Sequence, residues 1–390
     1  MKIEMLAECG WLSVNHVGEQ LCGDNVAVVD PNEHCRIFVL ADGMGSGVKA
    51  NILSTLTAKM LSVMLANKVD FDECLRTVIR TLPICSERHV AYSTFTVVKV
   101  DYGYHVTVYN YDNPTPFLIH DGKSVPLDFT VVEVEGKKIQ MAWFDADYED
   151  CIVTMSDGTI NAGMGVTLNY GWQLPQIMEF MEHNYRKGMS AKALATILVD
   201  RCNALYGYAP GDDTTCGVVR IRETEQVNVM FGPPVRKEDD KVMAEQFFNQ
   251  EGKHIVCGGT TAKVAAAWLG KEIVPDSVNM DETIPPMSLI EGVDLVTEGL
   301  ITMKRVVEYA ENYLGTNSEY FNWNYSLDGA SLIASALFEE ATCIRFYVGC
   351  AVNDAYEEDG AVSFREKMDL TDRLIQLLNQ MGKTTETIYY

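Results

Sequence analysis

Phe38-Val39-Leu40-Ala41-Asp42-Gly43-Met44-Gly45-Ser46-Gly47 runs from a continuous apolar strand through one carboxylate into a glycine-rich loop. Two further stretches repeat the plan. Cys151-Ile152-Val153-Thr154-Met155-Ser156-Asp157-Gly158 also ends an apolar strand in Asp-Gly, and Gly211-Asp212-Asp213-Thr214-Thr215-Cys216 sets two aspartates just ahead of one. A strand end holds a carboxylate rigidly, and a neighbouring glycine lets the backbone turn away or present its own carbonyl to a cation. Turn chemistry alone also favours Asp-Gly at strand ends, because Asp bonds its local backbone. Three such turns in one chain point instead to carboxylates gathered around hard metal ions.

The flanks of these turns read as a strand-rich half. The patterning predicts strands over 3–14, 25–29, 36–41, 93–101, 104–110, 115–120, 131–134, 150–156 and 215–221, many rich in β-branched or aromatic residues. Ile52, Leu53, Leu56, Met60, Leu61, Met64 and Leu65 recur at helical spacing, and further helices fit 72–81 (before Pro83), 174–185 and 190–205. Successive strands joined by tight turns imply antiparallel sheets covered by those helices, an α+β arrangement.

From about Glu223 the texture changes. Strands at 227–231, 254–257, 293–297, 342–349 and 385–390 alternate with helices, including segments ending near Leu269 and Tyr313 and others over 330–340 and 370–381. This alternation implies a separate three-layer α/β domain with a mostly parallel sheet. We therefore expect two domains, 1–222 and 223–390, in keeping with a 390-residue chain. Gly258-Gly259-Thr260-Thr261 fits an anion-binding turn at a helix N-terminus, with Glu298 and Asn353 on the same edge. Glycine and N-capping Thr also serve such turns for purely structural reasons, so a small-ligand site and a structural or dimerising role both stand.

Composition narrows the partners. With 55 acidic against 31 basic residues, a net charge of -24 repels phosphate backbones and anionic lipid surfaces, so neither nucleic acid nor membrane is expected. The opening residues carry acidic side chains where a secretory leader needs an apolar core, which leads us to expect a cytoplasmic protein. Eleven cysteines without a Cys-x-x-Cys pair read as reduced core residues, with Cys151, Cys216, Cys257 and Cys343 in apolar runs. A zinc or redox role for Cys343 with Cys350 is the alternative.

An all-carboxylate donor set with no His in the turns favours magnesium or manganese over zinc. Two such ions about 3.5–4 Å apart acidify a shared water and clamp both oxygens of an in-line phosphoryl displacement. The residues thus lead to metal-assisted hydrolysis of a phosphate ester.

The motifs Leu21-Cys22-Gly23-Asp24-Asn25, Asp42-Gly43-Met44-Gly45-Ser46-Gly47, Ser156-Asp157-Gly158 and Gly211-Asp212-Asp213-Thr214-Thr215 resemble, in order, those of the metal-dependent protein phosphatases, specifically the bacterial SpoIIE-like branch. Asn110-Tyr111-Asp112-Asn113-Pro114-Thr115-Pro116 is similar to that branch's Asn-Ala-Gly-His-Asn-Pro-Pro turn. The resemblance covers roughly residues 1–222. It implies a two-layer antiparallel β-sandwich flanked by helices, and phosphoserine or phosphothreonine in a protein as substrate. It further implies that Asp42 bridges two manganese or magnesium ions, Gly43 offers its carbonyl, and Asp157 and Asp212 complete the site. Asp24 would stand beside the metals, and Asp213 competes with Asp212 for the ligand position. Met44 occupies the place where eukaryotic relatives carry a His proposed as general acid. In the resembled branch the helices after the Asp-Gly loop act as a movable switch, while their apolar stripe is equally a core-packing face.

Three functional readings follow. The first is a phosphatase of a bacterial regulatory phosphoprotein, controlled by its C-terminal domain. The second is a weakly active phosphatase-fold scaffold or sensor whose C-terminal domain binds a ligand or partner. The third is a hydrolase of small phosphate esters. A homodimer is compatible with each.

Overall fold

The run 37–41 reads as unbroken apolar sequence because both of its faces are covered, one by a second sheet and the other by helices. The computed structural model describes residues 5–32, 34–81, 93–276, 285–351 and 360–390, with side chains in the last segment from 364 onward. The chain divides into two units, Met1–Glu223 and Thr224–Tyr390.

The first unit contains β1 (Met5–Val14), β2 (Asp24–Asn32), β3 (Cys35–Gly43), α1 (Gly47–Ala66), α2 (Phe71–Thr81), β4 (Ser93–Asp101), β5 (His105–Tyr111), β6 (Phe117–His120) and β7 (Lys123–Pro126). It continues with β8 (Thr130–Val134), β9 (Lys137–Asp145), β10 (Cys151–Met155), α3 (Asp157–Ile160), α4 (Leu174–Asn184), α5 (Ala191–Leu205) and β11 (Thr214–Glu223). Two antiparallel sheets form, in the orders β1-β11-β10-β6-β7 and β2-β3-β4-β5-β9-β8. Phe38, Leu40, Val98, Val106 and Val108 of the second sheet meet Ala7, Ile152, Val219 and Ile221 of the first. The outer face of the first sheet packs on α4 and α5 through Leu194, Leu198, Ile177 and Met181. The outer face of the second packs on α1 and α2 through Leu53, Leu61, Phe71 and Leu75. The expected two-layer sandwich flanked by helices is what the chain forms.

Several details differ from the sequence reading. Strands β7 and β9 escaped it, since Lys137-Lys138 and a terminal Asp145 mask the alternation of β9. The apolar spacing of α1 does not mark one buried stripe: Leu53 and Leu61 are buried, but Val48, Ile52, Leu56 and Val63 face outward. Ala50, Ser54, Thr57, Ala58 and Ser62 line the buried side instead, and small residues let the helix approach the sheet closely. Of the ten described cysteines, all free thiols, Cys343 with Cys9, Cys22 and Cys350 is only partly buried, so the reading of every cysteine as core does not hold.

The second unit contains β12 (Gln226–Phe231), α6 (Asp240–Phe248), β13 (Lys253–Cys257), α7 (Gly259–Leu269), β14 (Val274–Pro275), β15 (Ser288–Leu289), β16 (Leu295–Thr297) and α8 (Leu300–Leu314). It ends with α9 (Tyr320–Trp323), α10 (Gly329–Ala334), β17 (Cys343–Val348), α11 (Gly360–Gln380) and β18 (Thr384–Tyr389). Five parallel strands lie in the order β16-β13-β12-β17-β18, with β14 and β15 added antiparallel at the edge. The chain travels one way across the sheet from β12 to β16 and then crosses to β17. Right-handed crossovers in opposite directions put helices on opposite faces, giving three layers. Helix α11 begins ten residues before the expected 370, and α10 continues over 335–340 in wider π-helical turns. Among the described residues no helix is long and apolar enough to cross a membrane.

A buried ion network ties β1, β11 and the turn before β10 together: Arg220 bonds Glu149 at 2.7 Å and Glu8 at 3.4 Å, and Arg222 reaches Glu8 at 3.2 Å. Burial raises the Glu149 carboxyl, and the Arg220 guanidinium outweighs it, leaving the group below the ordinary range. A depressed carboxylate stabilises the fold above its unfolded value and loses that contribution as pH falls through the folded one. Glu149→Gln should therefore lower the urea midpoint at pH 7, by about 1–3 kcal/mol in stability, and should flatten the further loss of stability on acidification.

Candidate metal centre

Both sheets end their central strands at one place. Across the β2–β3 ladder Asp24 stands directly opposite Asp42. From the other sheet, β10 runs out through Ser156 into Asp157, the first residue of α3, while β11 enters just after Asp212 and Asp213. Ser156 joins the two sheets here: its Oγ donates to Asp24 Oδ2 at 2.7 Å and accepts from the Thr215 amide at 2.9 Å. Tyr206 Oη donates to the Gly158 carbonyl at 2.7 Å and anchors the start of α3.

Asp42 is the centre of the group. Burial raises its carboxyl far above the ordinary range, and the charges of Asp24, Asp157 and Asp212 push it further. A hydrogen bond links the Asp42 and Asp157 side chains. Asp24 is raised by burial, which its bonds from Ser156 and Thr215 offset only in part, while Asp213 and Asp157 add to the rise. Asp212 is lifted to about 6, first by burial and then by Asp157. Asp157 is the most open of these residues, yet the low-dielectric protein beneath it still lifts its carboxyl. Like charges this close cannot all remain ionised without a cation.

The donor set fits hard divalent ions. Every side-chain donor is an oxygen, and Asp24 Oδ1 and Asp213 Oδ2 are buried without a hydrogen-bond partner among the described residues. No three of these carboxylates converge within 4.8 Å, so the arrangement is a central Asp42 with donors spread around it, not a closed trio. The described residues that do converge so closely are His120, Asp147 and Asp150, at the opposite end of β10. There Asp150 Oδ1 pairs with His120 Nδ1 at 2.8 Å and Oδ2 accepts from the Asp147 amide at 2.8 Å, so both oxygens already serve a turn.

The glycines that directly follow Asp42 and Asp157 have a different reason from the one expected. Neither Gly43 nor Gly158 has a positive φ. A Cβ on Gly43 would lie 2.1 Å from the Ala50 carbonyl of α1, and one on Gly158 would lie 2.2 Å from the Asp213 carbonyl. Close approach, not turning, excludes a side chain at both. Around the same loop, the Gly43 amide donates to the Gly23 carbonyl, Asn51 Nδ2 to the Cys22 carbonyl, and Ser46 Oγ to Glu19.

Sequence reasoning missed Ser156 as a connector and His16 altogether. The His16 amide donates to Asp213 Oδ1 at 3.0 Å, and its ring opposes the rise of Asp212. Because β1 ends with Val14 paired to Thr214, residues 15–16 must run beside Asp212 and Asp213. Only that pairing reveals the position.

In the second unit, Gly258, Gly259, Thr260, Thr261 and Glu298 lie at the carboxyl ends of β13 and β16. The Gly258 amide donates to the Thr297 carbonyl, and Thr261 Oγ1 accepts from the Gly232 amide, so that hydroxyl fastens two loops. Gly259 and Thr260 are exposed, and Glu298 Oε2 is buried without a partner among the described residues. Asn353 lies outside the described residues.

Residues 32–222 match the family model for Stage II sporulation protein E (SpoIIE). Residues 32–222 form a SpoIIE-like domain. A search of curated proteins returns no significant match to the chain. Among solved structures, the PP2C phosphatase domain with a regulatory fragment of SpoIIE from Bacillus subtilis shares 18% identity at a TM-score of 0.49, covering 57% of this chain and 66% of that one. This chain thus spans just under two thirds of it. The RsbU and RsbW domains of a Mycobacterium tuberculosis protein share 16% at 0.47, covering 63% and 69%. RsbX in complex with magnesium shares 18% at 0.39, covering 55% and 95%. Likenesses this distant speak to neither substrate nor partner.

Two outcomes follow for the SpoIIE-like domain. Gly43→Ala must part β3 from α1 and should cost about 1–3 kcal/mol, read as a lowered denaturant midpoint, with weaker manganese binding in calorimetry. Since the raised carboxyls of Asp42 and Asp24 hold protons near neutrality and ligation removes them, manganese binding at pH 7 should release protons and tighten as pH rises. Calorimetry in buffers of different ionisation enthalpy reads both.

Proposed function

We propose that the first unit is a metal-dependent protein serine/threonine phosphatase that hydrolyses phosphoserine or phosphothreonine on a regulatory protein in the cytoplasm, under control of residues 223–390. The crowding of carboxylates around Asp42 carries this reading, and the SpoIIE family match supports it. Asp42, the Gly43 carbonyl, Asp157 and Asp212 would hold two manganese or magnesium ions, with Asp213 the rival of Asp212. When bound, such a pair supplies an acidified water and neutralises the phosphate charge.

The chain's own residues do the placing. Asp24, held by Ser156, fixes a second carboxyl group beside Asp42 from the opposite strand. Asp213, held by the His16 amide, presents its other oxygen to the same side as Gly23. Met44 has no proton to give a departing alkoxide, so the leaving group takes its proton from elsewhere. Since Gly43 touches α1, any movement of that helix is felt one residue from Asp42.

The test is hydrolysis of p-nitrophenyl phosphate and of a phosphoserine peptide, with and without manganese. The unaltered chain should show manganese-dependent turnover of both. Asp157→Asn should lose at least about 100-fold. Equal, metal-independent rates in the two proteins would overturn the enzyme reading, and activity on the small ester alone would overturn the phosphoprotein part.

A further inference from the structure

The inner face of the second sheet changes character along its length. Phe38, Val98 and Val108 are cross-strand neighbours on β3, β4 and β5, and all three are buried between the sheets. Two residues nearer the acidic cluster the same row reads Leu40, Thr96 and Asn110. At its end Asp42 faces Thr94.

These polar groups are mutually satisfied, and all but the half-buried Thr94 are buried. Thr96 is fully buried, Asn110 is 1% exposed and Asn113 is 6% exposed. Thr94 Oγ1 donates to Asn113 Oδ1 at 2.5 Å, and Thr96 Oγ1 donates to Asn110 Oδ1 at 2.6 Å. Asn113 Nδ2 donates to Thr96 Oγ1 at 3.1 Å, while Asn110 Nδ2 donates to the Asn113 carbonyl and to Gln140 Oε1, each at 2.9 Å. Burying such groups is costly unless every bond is made, and apolar pairs hold the same strands one step deeper. A satisfied polar network is directional where an apolar contact is not, so it fixes β4, β5 and the turn after β5 in one arrangement.

We propose that Thr94, Thr96, Asn110 and Asn113 are positioning residues for the metal centre, setting the end of the β3–β4 ladder and with it the direction of the Asp42 carboxylate. This inference rests on the reading of the acidic cluster as a metal site. Manganese binding to the full chain is measured by titration calorimetry, beside the manganese concentration that half-activates hydrolysis and the thermal midpoint. Thr96→Val and Asn113→Ala should weaken binding about tenfold, whereas Thr96→Ser should stay within about twofold of the unaltered chain. Val98→Ala, on the same strand in the apolar part, should lower the thermal midpoint without moving the affinity. Thr94→Val, at a half-buried position, keeps the test open if Thr96→Val does not fold. Unchanged affinity in the threonine and asparagine variants, or an equal loss in Val98→Ala, overturns the inference alone. No manganese binding by the unaltered chain overturns the metal reading and this inference with it.

Discussion

Repulsion among aspartates at one end of two packed sheets is the constraint around which the first unit is organised. Asp42 feels Asp24, Asp157 and Asp212 together, and burial removes the water that would otherwise screen them. Such a cluster persists only if its backbone is held from several sides. The β2–β3 ladder holds Asp24 and Asp42, the β10–β11 ladder holds the approach to Asp157 and Asp213, and Ser156 bonds one sheet to the other. The apolar core between the sheets supplies the stability that such a concentration of charge subtracts.

The same economy explains the glycines. Asp42 and Asp157 are each followed by a residue whose Cβ would strike a neighbouring carbonyl. Backbone therefore packs directly on backbone beside each carboxylate, leaving little room for it to move away. Helix α1 meets this loop with small residues and turns Val48, Ile52, Leu56 and Val63 outward, so its contact with the acidic end is close and narrow.

The second unit obeys a different logic. Its inner parallel strands β12, β13, β16 and β17 are largely buried and read as short apolar runs, whereas the edge strand β18 is half exposed, and turns containing glycine follow β12, β13 and β16. Those turns are stitched together by their own bonds, Gly258 to Thr297 and Gly232 to Thr261. Grouping Gly258–Thr261 with Glu298 on one edge was legible from strand-helix alternation, because parallel strands bring all their carboxyl ends to the same side. That Thr261 is spent on Gly232 was not.

In the first unit, the apolar runs ending in Asp42 and Asp157 and the acidic pair before β11 were readable because burial on both faces writes itself as continuous hydrophobicity. The order of motifs was enough to expect a helix-flanked antiparallel sandwich. Strand β9 was not readable, since charged ends hid its period, nor was the outward face of α1, since apolar residues look alike whether covered or not. By itself the sequence determined which residues could be acidic strand ends and which half of the chain was parallel. Only the tertiary structure decided that Ser156 bridges the sheets, that His16 lies beside Asp212 and Asp213, and that Gly43 is demanded by α1. Each of those depends on contacts between segments far apart in the chain, and pairing at that range leaves no periodic trace in the residues that take part.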